Sequence, residues 1–578
     1  MDDVERLARA FEELAELSEI KGEVRFKVNA YRRAAEVAGS LGEELLEIGD
    51  VKGLRKYPGI GEGIAKKILE FKETGAISKL EELKREVPVE LLALLKVPNL
   101  GPKRAKLIYD ELGVRTIAEL QHAAEEHRLA DLPGLGPKAE ENILEGIGHL
   151  ESTSGRLLLS QAHGIQQEII ELMLARMPGL EISPAGSLRR MKETIGDIDI
   201  LVSSLEADGV IETFTSLPLV DRVLLRGDTK SSIVTGKGLQ VDLRVVRPEE
   251  YGAALQYFTG SQSHNVRVRE IAKKAGKKIN EYGVFRVSDN RRLAGETEEE
   301  VYKSLGMACP PPEIRENRGE VEAALKGELP ALLDRSEILG DLHVHSDASD
   351  GMASLEELRG AAEGMGYGYL AITDHAANLR VAGGLDRDAL ADQIETIREM
   401  NQSGDSSLVL LAGTELNIDN DGGIDYDEEI LSLLDVVIAS VHAGFKQERE
   451  QITRRVIRAM HNPHVKIIAH PTGRLIGQRP PYDIDLRAVI KEAYETGTAL
   501  ELNAFPERLD LKDEHLMEAR EQGVKIAIGT DAHRLEHLGF MFYGVATARR
   551  GWLERGDVLN TMAVAKLLSW LWKDRKRG

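Results

Sequence analysis

Hydrophobic and polar positions follow three different patterns along the chain. In residues 1–150 apolar residues recur every three or four positions with few β-branched runs, which predicts helices. Residues 196–202 alternate acidic and apolar side chains and then become wholly apolar, which predicts a strand. After residue 338, short apolar segments alternate with helical ones, as in repeated βα units. The pattern predicts a multidomain α/β protein with a helical N-terminal region, an α+β middle part and a C-terminal barrel.

Length and composition support this organisation and exclude a membrane protein. The 578 residues need several domains, since single cores rarely grow past roughly 250–300 residues. Apolar runs such as residues 436–439 are far shorter than the roughly 18 residues that cross a bilayer. The single cysteine, Cys309, excludes internal disulfides and fits a reducing compartment. We therefore expect a cytoplasmic protein with no membrane contact.

One short pattern occurs three times in the helical region. The copies are Tyr57-Pro-Gly-Ile-Gly61, Val97-Pro-Asn-Leu-Gly101 and Leu132-Pro-Gly-Leu-Gly136. Each precedes a predicted helix that carries lysine in its first turns. Glycine allows close approach of the backbone, and the free N–H groups of a helix start suit a DNA phosphate without reading bases. The predicted contacts are Gly59, Gly61, Gly101, Lys103, Gly134 and Gly136.

These three copies resemble helix-hairpin-helix motifs, the non-specific backbone clamps of many DNA repair proteins. The second copy departs from the pattern at Asn99, where the motif has glycine. Asparagine also adopts the left-handed conformation, so the turn is still expected there. The resemblance implies that the N-terminal region binds the DNA backbone.

Three acidic residues fall on two predicted strands in the middle of the chain. Asp197 and Asp199 share one face of the first strand, and Asp242 lies on the strand of residues 239–246. Neighbouring carboxylates need a cation, and this trio suits two Mg²⁺ or Mn²⁺ ions that bridge phosphates and an attacking hydroxyl. Residues just before them supply amides, a hydroxyl and a positive charge for a triphosphate: Gly186, Ser187 and Arg190.

This array resembles the nucleotidyltransferase palm of family X DNA polymerases, the group that contains DNA polymerase beta. The similarity continues through Tyr-Phe-Thr-Gly-Ser at residues 257–261 and covers roughly residues 1–315. It implies a DNA-directed DNA polymerase of base-excision-repair type that uses dNTPs to fill short gaps in primer–template DNA. It also implies nucleotide contacts at Tyr257, Phe258, Gly260 and Asn265 and a template contact at Arg269.

Some members of this family also have a lyase activity in the first helical domain, where a lysine forms a Schiff base with an abasic sugar. The resemblance assigns that lysine to Lys67. A lysine that holds the 5′-phosphate in those members is replaced here by Gly63. Lys67 is therefore either a lyase nucleophile or a solvated helix lysine.

Most of the predicted strands after residue 338 end in residues that ligate metals. The set mixes imidazoles with carboxylates, which suits Zn²⁺ or Mn²⁺ better than Mg²⁺, and it is large enough for three ions. Side chains at the C-terminal ends of barrel strands meet at one mouth. The predicted ligands are His343, His345, Asp350, His375, Glu415, His442, His470, Asp531 and His533. The strand of residues 499–503 has no obvious ligand.

The nine positions resemble the trinuclear site of the polymerase-and-histidinol-phosphatase (PHP) domain, a distorted (β/α)7 barrel of the TIM type. The resemblance implies a metal-dependent 3′–5′ exonuclease, with abasic-site endonuclease activity as a further possibility. Two other functions stay open: a DNA-localised small-molecule phosphatase, such as a histidinol phosphatase, and a DNA-end scaffold with structural metals.

The predicted domain boundaries follow these motifs. They are 1–85 for a lyase-like helical domain, 86–150 for a fingers-like helical domain, 151–250 for the palm, 251–312 for the thumb, 313–337 for a linker and 338–578 for the PHP barrel. The protein is expected to associate with the bacterial nucleoid through DNA, and a monomer is the expected oligomeric state.

The charge of the chain sets an expectation for DNA binding. The net charge is -22, although residues 51–110 hold 13 basic and 8 acidic residues. A negative surplus limits non-specific affinity, so binding must depend on several motifs engaging one gap or end. We expect salt-sensitive binding that is tighter to gapped DNA than to intact duplex. Fluorescence anisotropy at physiological salt measures this, and equal affinity for both would contradict it.

Overall fold

The computed structural model describes residues 3–573 except 42–44, 46–47, 58, 89–90, 96, 98–99, 154–155, 380–381 and 405. The motif residues Pro58, Pro98 and Asn99 lie outside the described residues. The chain forms two compact units, one of residues 1–154 and 477–479 and one of residues 155–476 and 480–578. None of the described helices is both long enough and apolar enough to cross a membrane.

The first unit is helical, as predicted. Its helices are α1 (Asp3–Lys21), α2 (Arg25–Leu41), α3 (Val51–Leu54), α4 (Glu62–Thr74), α5 (Ser78–Glu86), α6 (Leu91–Leu94), α7 (Pro102–Leu112), α8 (Ile117–Glu125) and α9 (Pro137–Thr153). Apolar side chains from these helices form one continuous core, which includes Leu7, Ile68, Ile108 and Ile143. The three- and four-residue spacing in the sequence therefore corresponds to buried helix faces.

The described residues of the three repeated motifs share one backbone hydrogen bond. In each copy the N–H of an apolar residue donates to the carbonyl three positions earlier, at 3.1 Å for Ile60, 3.1 Å for Leu100 and 3.0 Å for Leu135. All three side chains are buried. Gly59 and Gly134 have φ of +92° and +79°, the region that favours glycine. Each turn leads directly into a helix, which exposes the N–H groups of its first turn.

The second unit begins with a mixed five-stranded sheet in the order β2-β4-β7-β6-β5. The elements of this part are β1 (Leu157–Leu158), α10 (Leu159–Arg176), β2 (Glu181–Pro184), α11 (Gly186–Arg189), β3 (Thr194–Ile195), β4 (Asp197–Ser203), α12 (Ala207–Thr215), β5 (Val220–Arg226), β6 (Lys230–Thr235) and β7 (Gln240–Val246). Strands β4 and β7 run parallel, and Ile198 and Val241 of these strands are buried in one core. The alternate positions are less buried, which leaves the acids of β4 and β7 on the other face.

A smaller part follows, with helices on a three-stranded antiparallel sheet in the order β10-β9-β8. Its elements are α13 (Tyr251–Thr259), α14 (Gln262–Lys274), β8 (Lys277–Asn280), β9 (Gly283–Arg286), β10 (Arg292–Ala294), α15 (Glu298–Ser304) and α16 (Glu320–Lys326). Helix α16 lies within residues 313–337, where the sequence predicts a linker. Its Val321 and Ala324 are buried in the same core as Val268 and Val301, so this segment packs as part of the domain.

The remaining strands form a seven-stranded sheet in which every neighbour is parallel and the strand order follows the chain. They are β11 (Gly340–Val344), β12 (Tyr369–Ile372), β13 (Val409–Asn417), β14 (Val436–Ser440), β15 (Ile467–Ile468), β16 (Ala499–Asn503) and β17 (Ile526–Gly529). Hydrogen bonds of 2.9 Å from Asp531 N–H to His343 O and from His345 N–H to Ala532 O join the two ends. The predicted (β/α)7 barrel is thereby confirmed.

Helices pack against this barrel. They are α17 (Leu355–Gly364), α18 (Arg387–Gln402), α19 (Glu428–Leu431), α20 (Arg449–Met460), α21 (Leu486–Thr496), α22 (Asp513–Gln522), α23 (Met541–Arg550) and α24 (Val564–Leu571). Leu370 and Ile372 of β12 pack in one core, while the alternate residues Tyr369 and Ala371 pack in a second core together with Leu567 of α24. Each strand is therefore buried on both faces, as parallel strands usually are.

Candidate functional site

The three predicted palm acids meet on neighbouring strands. Asp199 of β4 lies opposite Asp242 of β7 in the parallel register, and Asp197 is two residues away on the same face of β4. Burial, then the charges of Asp197 and Asp242, raise the pKa of Asp199 to about 6. Burial also acts to raise the pKa of Asp242, but hydrogen bonds from Lys230 and Gln240 outweigh it and lower that pKa. The three acids thus repel one another, which a divalent cation would relieve.

The short helix α11 approaches these acids closely. Gly186, at its start, has φ of +61°, and a Cβ there would lie 2.3 Å from Oδ2 of Asp199. The N–H of Ala185 donates to the backbone carbonyl of Asp199 at 2.8 Å. Only glycine fits this contact, so the backbone of Gly186 and Ser187 stands directly beside the acidic face.

Arg190, predicted to face a triphosphate, is bound to groups of the neighbouring domain. Its guanidinium donates to the carbonyl of Thr259 at 2.7 Å and to Oε1 of Glu316 at 3.0 Å. Burial acts to raise the pKa of Glu316, but the charges of Arg190 and Arg550 outweigh it and lower that pKa. The structure therefore shows Arg190 in an ion pair, and its contact with phosphate stays a prediction.

The other predicted nucleotide and template residues form one group at the junction of α13 and α14. The rings of Tyr257 and Phe258 meet edge to face with centroids 5.1 Å apart, and the guanidinium of Arg269 lies 5.9 Å from the Tyr257 ring centroid. Asn265 donates from Nδ2 to the carbonyl of Tyr257 at 2.6 Å. A Cβ on Gly260 would lie 2.8 Å from Oδ1 of Asn265, so glycine permits this packing.

Lys67 lies on α4 of the first unit and is half-buried. Its Nζ stands 5.7 Å from the ring centroid of Tyr31, and it lies 3.4 Å from the carbonyl of Gly63. Burial, and then the positive charge of Lys27, lower the pKa of Lys67. A lysine with a lowered pKa offers more neutral amine, which is the nucleophilic form.

The nine predicted ligands of the barrel come together at one end of the strands. Glu415 stands in the middle: its carboxylate oxygens lie 3.0 Å from Nδ1 of His375, 3.2 Å from Nε2 of His442 and 3.0 Å from Nε2 of His470. Burial acts to raise the pKa of Glu415, but the charges of His442, His375 and His343 outweigh it and hold that pKa well below its usual range.

The remaining ligands surround this carboxylate. Nε2 of His343 is 3.1 Å from Nε2 of His345, and Nε2 of His345 is 3.2 Å from Oδ1 of Asp531. Asp350 lies 3.5 Å from Nε2 of His375 and 3.4 Å from Nε2 of His533. Three groups have donor atoms close enough to share an ion: His345, Asp350, His375 and His533; His343, His345 and Glu415; and His375, Glu415 and His442.

The surroundings of these side chains fit metal ions. Within the described part of the chain, the buried Nδ1 atoms of His345 and His470 have no hydrogen-bond partner. A buried polar atom without a partner is costly, whereas an imidazole nitrogen readily ligates a metal. His470 and Asp531 also have positive φ, of 27° and 55°. Such backbone strain is concentrated at functional sites, where the surrounding structure maintains it.

Two residues of β16 complete this centre, although the sequence showed no obvious ligand on that strand. Glu501 is fully buried, accepts a hydrogen bond from the N–H of His470 at 2.6 Å, and lies 2.6 Å from Nδ1 of His343. Asn503 donates from Nδ2 to Oδ2 of Asp531 at 3.0 Å. Both face the centre because residues two apart share a strand face. That alternation, together with a charged residue in an apolar strand, was the available signal.

Arg474, four residues after His470, is bound to protein groups of two domains. It is 7% exposed, and its guanidinium donates to the carbonyl of Arg508 at 2.8 Å and to Glu193 of the palm at 2.8 Å. Arg474 therefore joins the palm to the barrel instead of facing solvent at the mouth.

Comparison with known proteins agrees with this architecture. Four family models match: a helix-hairpin-helix domain at residues 3–77, a SAM-like helix-hairpin-helix tandem at 91–148, the DNA polymerase beta thumb at 254–316 and the PHP domain at 341–505. The chain is 41% identical to the DNA polymerase/3′-5′ exonuclease PolX of Bacillus subtilis (strain 168) over 98% of each chain.

Two further relatives each match part of the chain. DNA polymerase lambda of Rattus norvegicus is 28% identical over 45% of this chain and 48% of its own length. A probable phosphatase of Thermoanaerobacter sp. (strain X514) is 32% identical over 41% of this chain and 95% of its own length. Fold and sites together define a polymerase joined to a phosphoesterase barrel. The chain belongs to the family X DNA polymerases that carry a C-terminal PHP domain.

The contacts of Glu501 predict an effect on metal binding. Glu501→Gln keeps the shape of the side chain but removes the charge that orients His343, so we expect the affinity for Mn²⁺ to fall about 10- to 100-fold. Calorimetric titration of the metal-free protein measures this directly. The matched control is Glu495→Gln on the exposed face of α21, which should bind Mn²⁺ like the wild type. An unchanged affinity in Glu501→Gln would contradict the assignment.

Proposed function

We propose that the protein is a DNA-directed DNA polymerase that fills short gaps during repair, and that its barrel is a 3′–5′ exonuclease acting on the same DNA. The observation that carries this proposal is the presence in one chain of two clusters of side chains suited to bind metal ions. Asp197, Asp199 and Asp242 meet on the palm sheet, and nine further donors meet at the barrel mouth.

In the palm, the chain's own residues position the nucleotide and the primer end. Two Mg²⁺ or Mn²⁺ ions held by Asp197, Asp199 and Asp242 would neutralise the phosphates and lower the pKa of the attacking hydroxyl. The backbone at Gly186 lies beside Asp199, and the N–H groups of Gly186 and Ser187, at the start of helix α11, are suited to hold a triphosphate. A bound cation would counteract the burial and the neighbouring charges that raise the pKa of Asp199, and so favour its ionised form.

In the barrel, the donor set favours Zn²⁺, Mn²⁺ or both, with up to three ions. These ions would supply an activated water and neutralise the scissile phosphate. Glu415 and Asp531 hold the centre together by contacting histidines from different strands, and Glu501 orients His343. Abasic-site endonuclease activity would use the same centre.

The helix-hairpin-helix turns would hold the DNA backbone on either side of a gap. Their glycines and lysines, including Lys103, are suited to phosphates and not to base edges. The substrates would be dNTPs and gapped or primer–template DNA. The protein would act in the cytoplasm as a monomer, associated with the nucleoid through DNA.

A small-molecule phosphatase is the competing function for the barrel. One relative that matches only part of this chain is named a probable phosphatase, from Thermoanaerobacter sp. (strain X514), and that name favours this function. The palm acids favour DNA as the substrate, because a phosphatase of small molecules has no use for a nucleotidyl-transfer centre in the same chain.

Separate substitutions in the two centres should separate the two activities. Asp197→Ala should lower primer extension on gapped DNA by roughly a thousandfold, since several kcal/mol of charge stabilisation is lost, and leave 3′–5′ degradation intact. His343→Ala should do the reverse. Both reactions are followed with a labelled primer, with and without dNTPs. Primer extension by Asp197→Ala at the wild-type rate would contradict the palm assignment. DNA degradation by His343→Ala at the wild-type rate would contradict the barrel assignment.

We also propose that Lys67 is a lyase nucleophile, because its pKa is lowered by burial and by Lys27. The neutral amine would attack the C1′ aldehyde of an abasic sugar and lose water to form an imine, which borohydride reduces to a stable amine. We expect a trapped adduct at pH 7.5 that Lys67→Ala abolishes. Lys66→Ala is the matched control, since Lys66 is exposed and pairs with Glu62 at 2.6 Å. An adduct that persists in Lys67→Ala would refute the proposal.

A further inference from the structure

Three aromatic rings form a cluster beside the mouth of the barrel. Phe505 lies in the loop after β16, and His537 and Phe540 lie in a 3₁₀ turn of residues 535–540. The Phe505 ring meets the other two edge to face, with centroids 5.2 Å apart in each case. His537 and Phe540 stack, with centroids 4.8 Å apart and planes 19° apart. The cluster is therefore one continuous aromatic surface.

This cluster is tied by hydrogen bonds to residues of the metal centre. The N–H of Phe505 donates to Oδ1 of Asn503 at 3.1 Å, and Asn503 donates in turn to Asp531. The N–H of His533 points to Nδ1 of His537 at 3.4 Å. The rings thus adjoin two of the nine donors, Asp531 and His533.

The three rings are partly exposed to solvent. Phe505, His537 and Phe540 are half-buried, whereas Leu538 and Met541 in the same segment are 1% exposed. A cation lies nearby: the backbone N–H of Arg508 donates to the carbonyl of Phe505 at 2.8 Å, and the guanidinium Nε of Arg508 lies 3.5 Å from Oδ2 of Asp531. Aromatic faces next to positive charge are the combination that binds unpaired nucleotides.

The depth of the metal centre also determines which form of DNA can reach it. Six of the nine donors are buried: His343, His345, His375, Glu415, His470 and Asp531. A paired duplex end keeps its bases stacked within the double helix, whereas the bases of an unpaired end are free to stack on protein rings. We propose that Phe505, His537 and Phe540 form a stacking site for unpaired bases at the 3′ end of the strand that the barrel hydrolyses. This inference rests on the proposed exonuclease function.

The test compares two single-stranded oligonucleotides that differ only in whether the last two 3′ nucleotides carry bases. Wild-type protein should hydrolyse the base-bearing end with a kcat/KM about tenfold above that of the abasic end, because each stacked base adds affinity. Phe505→Leu and, independently, Phe540→Leu should bring this ratio close to one. If the variants slow both substrates by the same factor, or if the wild type does not distinguish them, the stacking site is refuted.

A binding measurement separates this inference from the exonuclease function. An oligonucleotide with 2-aminopurine as its 3′-terminal base is titrated with metal-free protein, and stacking should quench its fluorescence more with wild type than with Phe505→Leu. Equal quenching refutes the site. Lost quenching in the variant, in a protein that hydrolyses neither oligonucleotide, supports the site and refutes the exonuclease. Tyr494→Leu is the matched control, since Tyr494 is 62% exposed on the outer helix α21, and it should behave like wild type in both assays.

Discussion

The buried carboxylate of Glu415 is the interaction on which the barrel centre depends. It is 1% exposed and contacts imidazoles from β11, from the segment after β12, and from the ends of β14 and β15. An ionised carboxylate is stable at such depth only among positive or hydrogen-bonding partners. Because those partners come from separate strands, the centre exists only when the barrel is closed. Closure in turn places Asp531 next to His345, so fold and metal centre are formed together.

A second set of ion pairs makes the palm and the barrel one body. Arg550 of the barrel is 4% exposed and donates to the carbonyl of Arg190 at 2.6 Å, to Glu316 at 3.2 Å and to Asp513 at 2.6 Å. Removing one partner of an ion pair that is buried this deeply strongly destabilises a protein, because the other charge is left unpaired. The junction between palm and barrel therefore resists separation. Since the two centres belong to one body, a DNA end that is extended in the palm must move to reach the barrel.

The sequence predicted most of this arrangement because its strongest signals are local. The alternation around Asp197 and Asp199 fixes their common face, and histidines at strand ends meet once the strands are parallel. The role of Glu501 could not be predicted in the same way, because its partners His343 and His470 are distant in sequence. Likewise, residues 313–337 look like a charged linker until Val321 is seen in a tertiary core. The role of Glu501 and the packing of residues 313–337 both depend on contacts between residues that are distant in sequence, which a local pattern does not reveal.

The distribution of buried charge accounts for part of the negative charge of the chain. Among the described residues, ten Asp and Glu side chains are buried against five Lys and Arg side chains. Seven of those ten acids belong to the barrel: Asp341, Asp374, Glu415, Asp425, Glu501, Asp510 and Asp531. Buried acids are compensated by histidines, hydrogen bonds and the ions that the centre would hold, so they contribute little to the field that approaching DNA meets. The net charge of the sequence therefore overstates the repulsion at the surface, and the helix-hairpin-helix lysines act against a smaller negative field than the composition suggests.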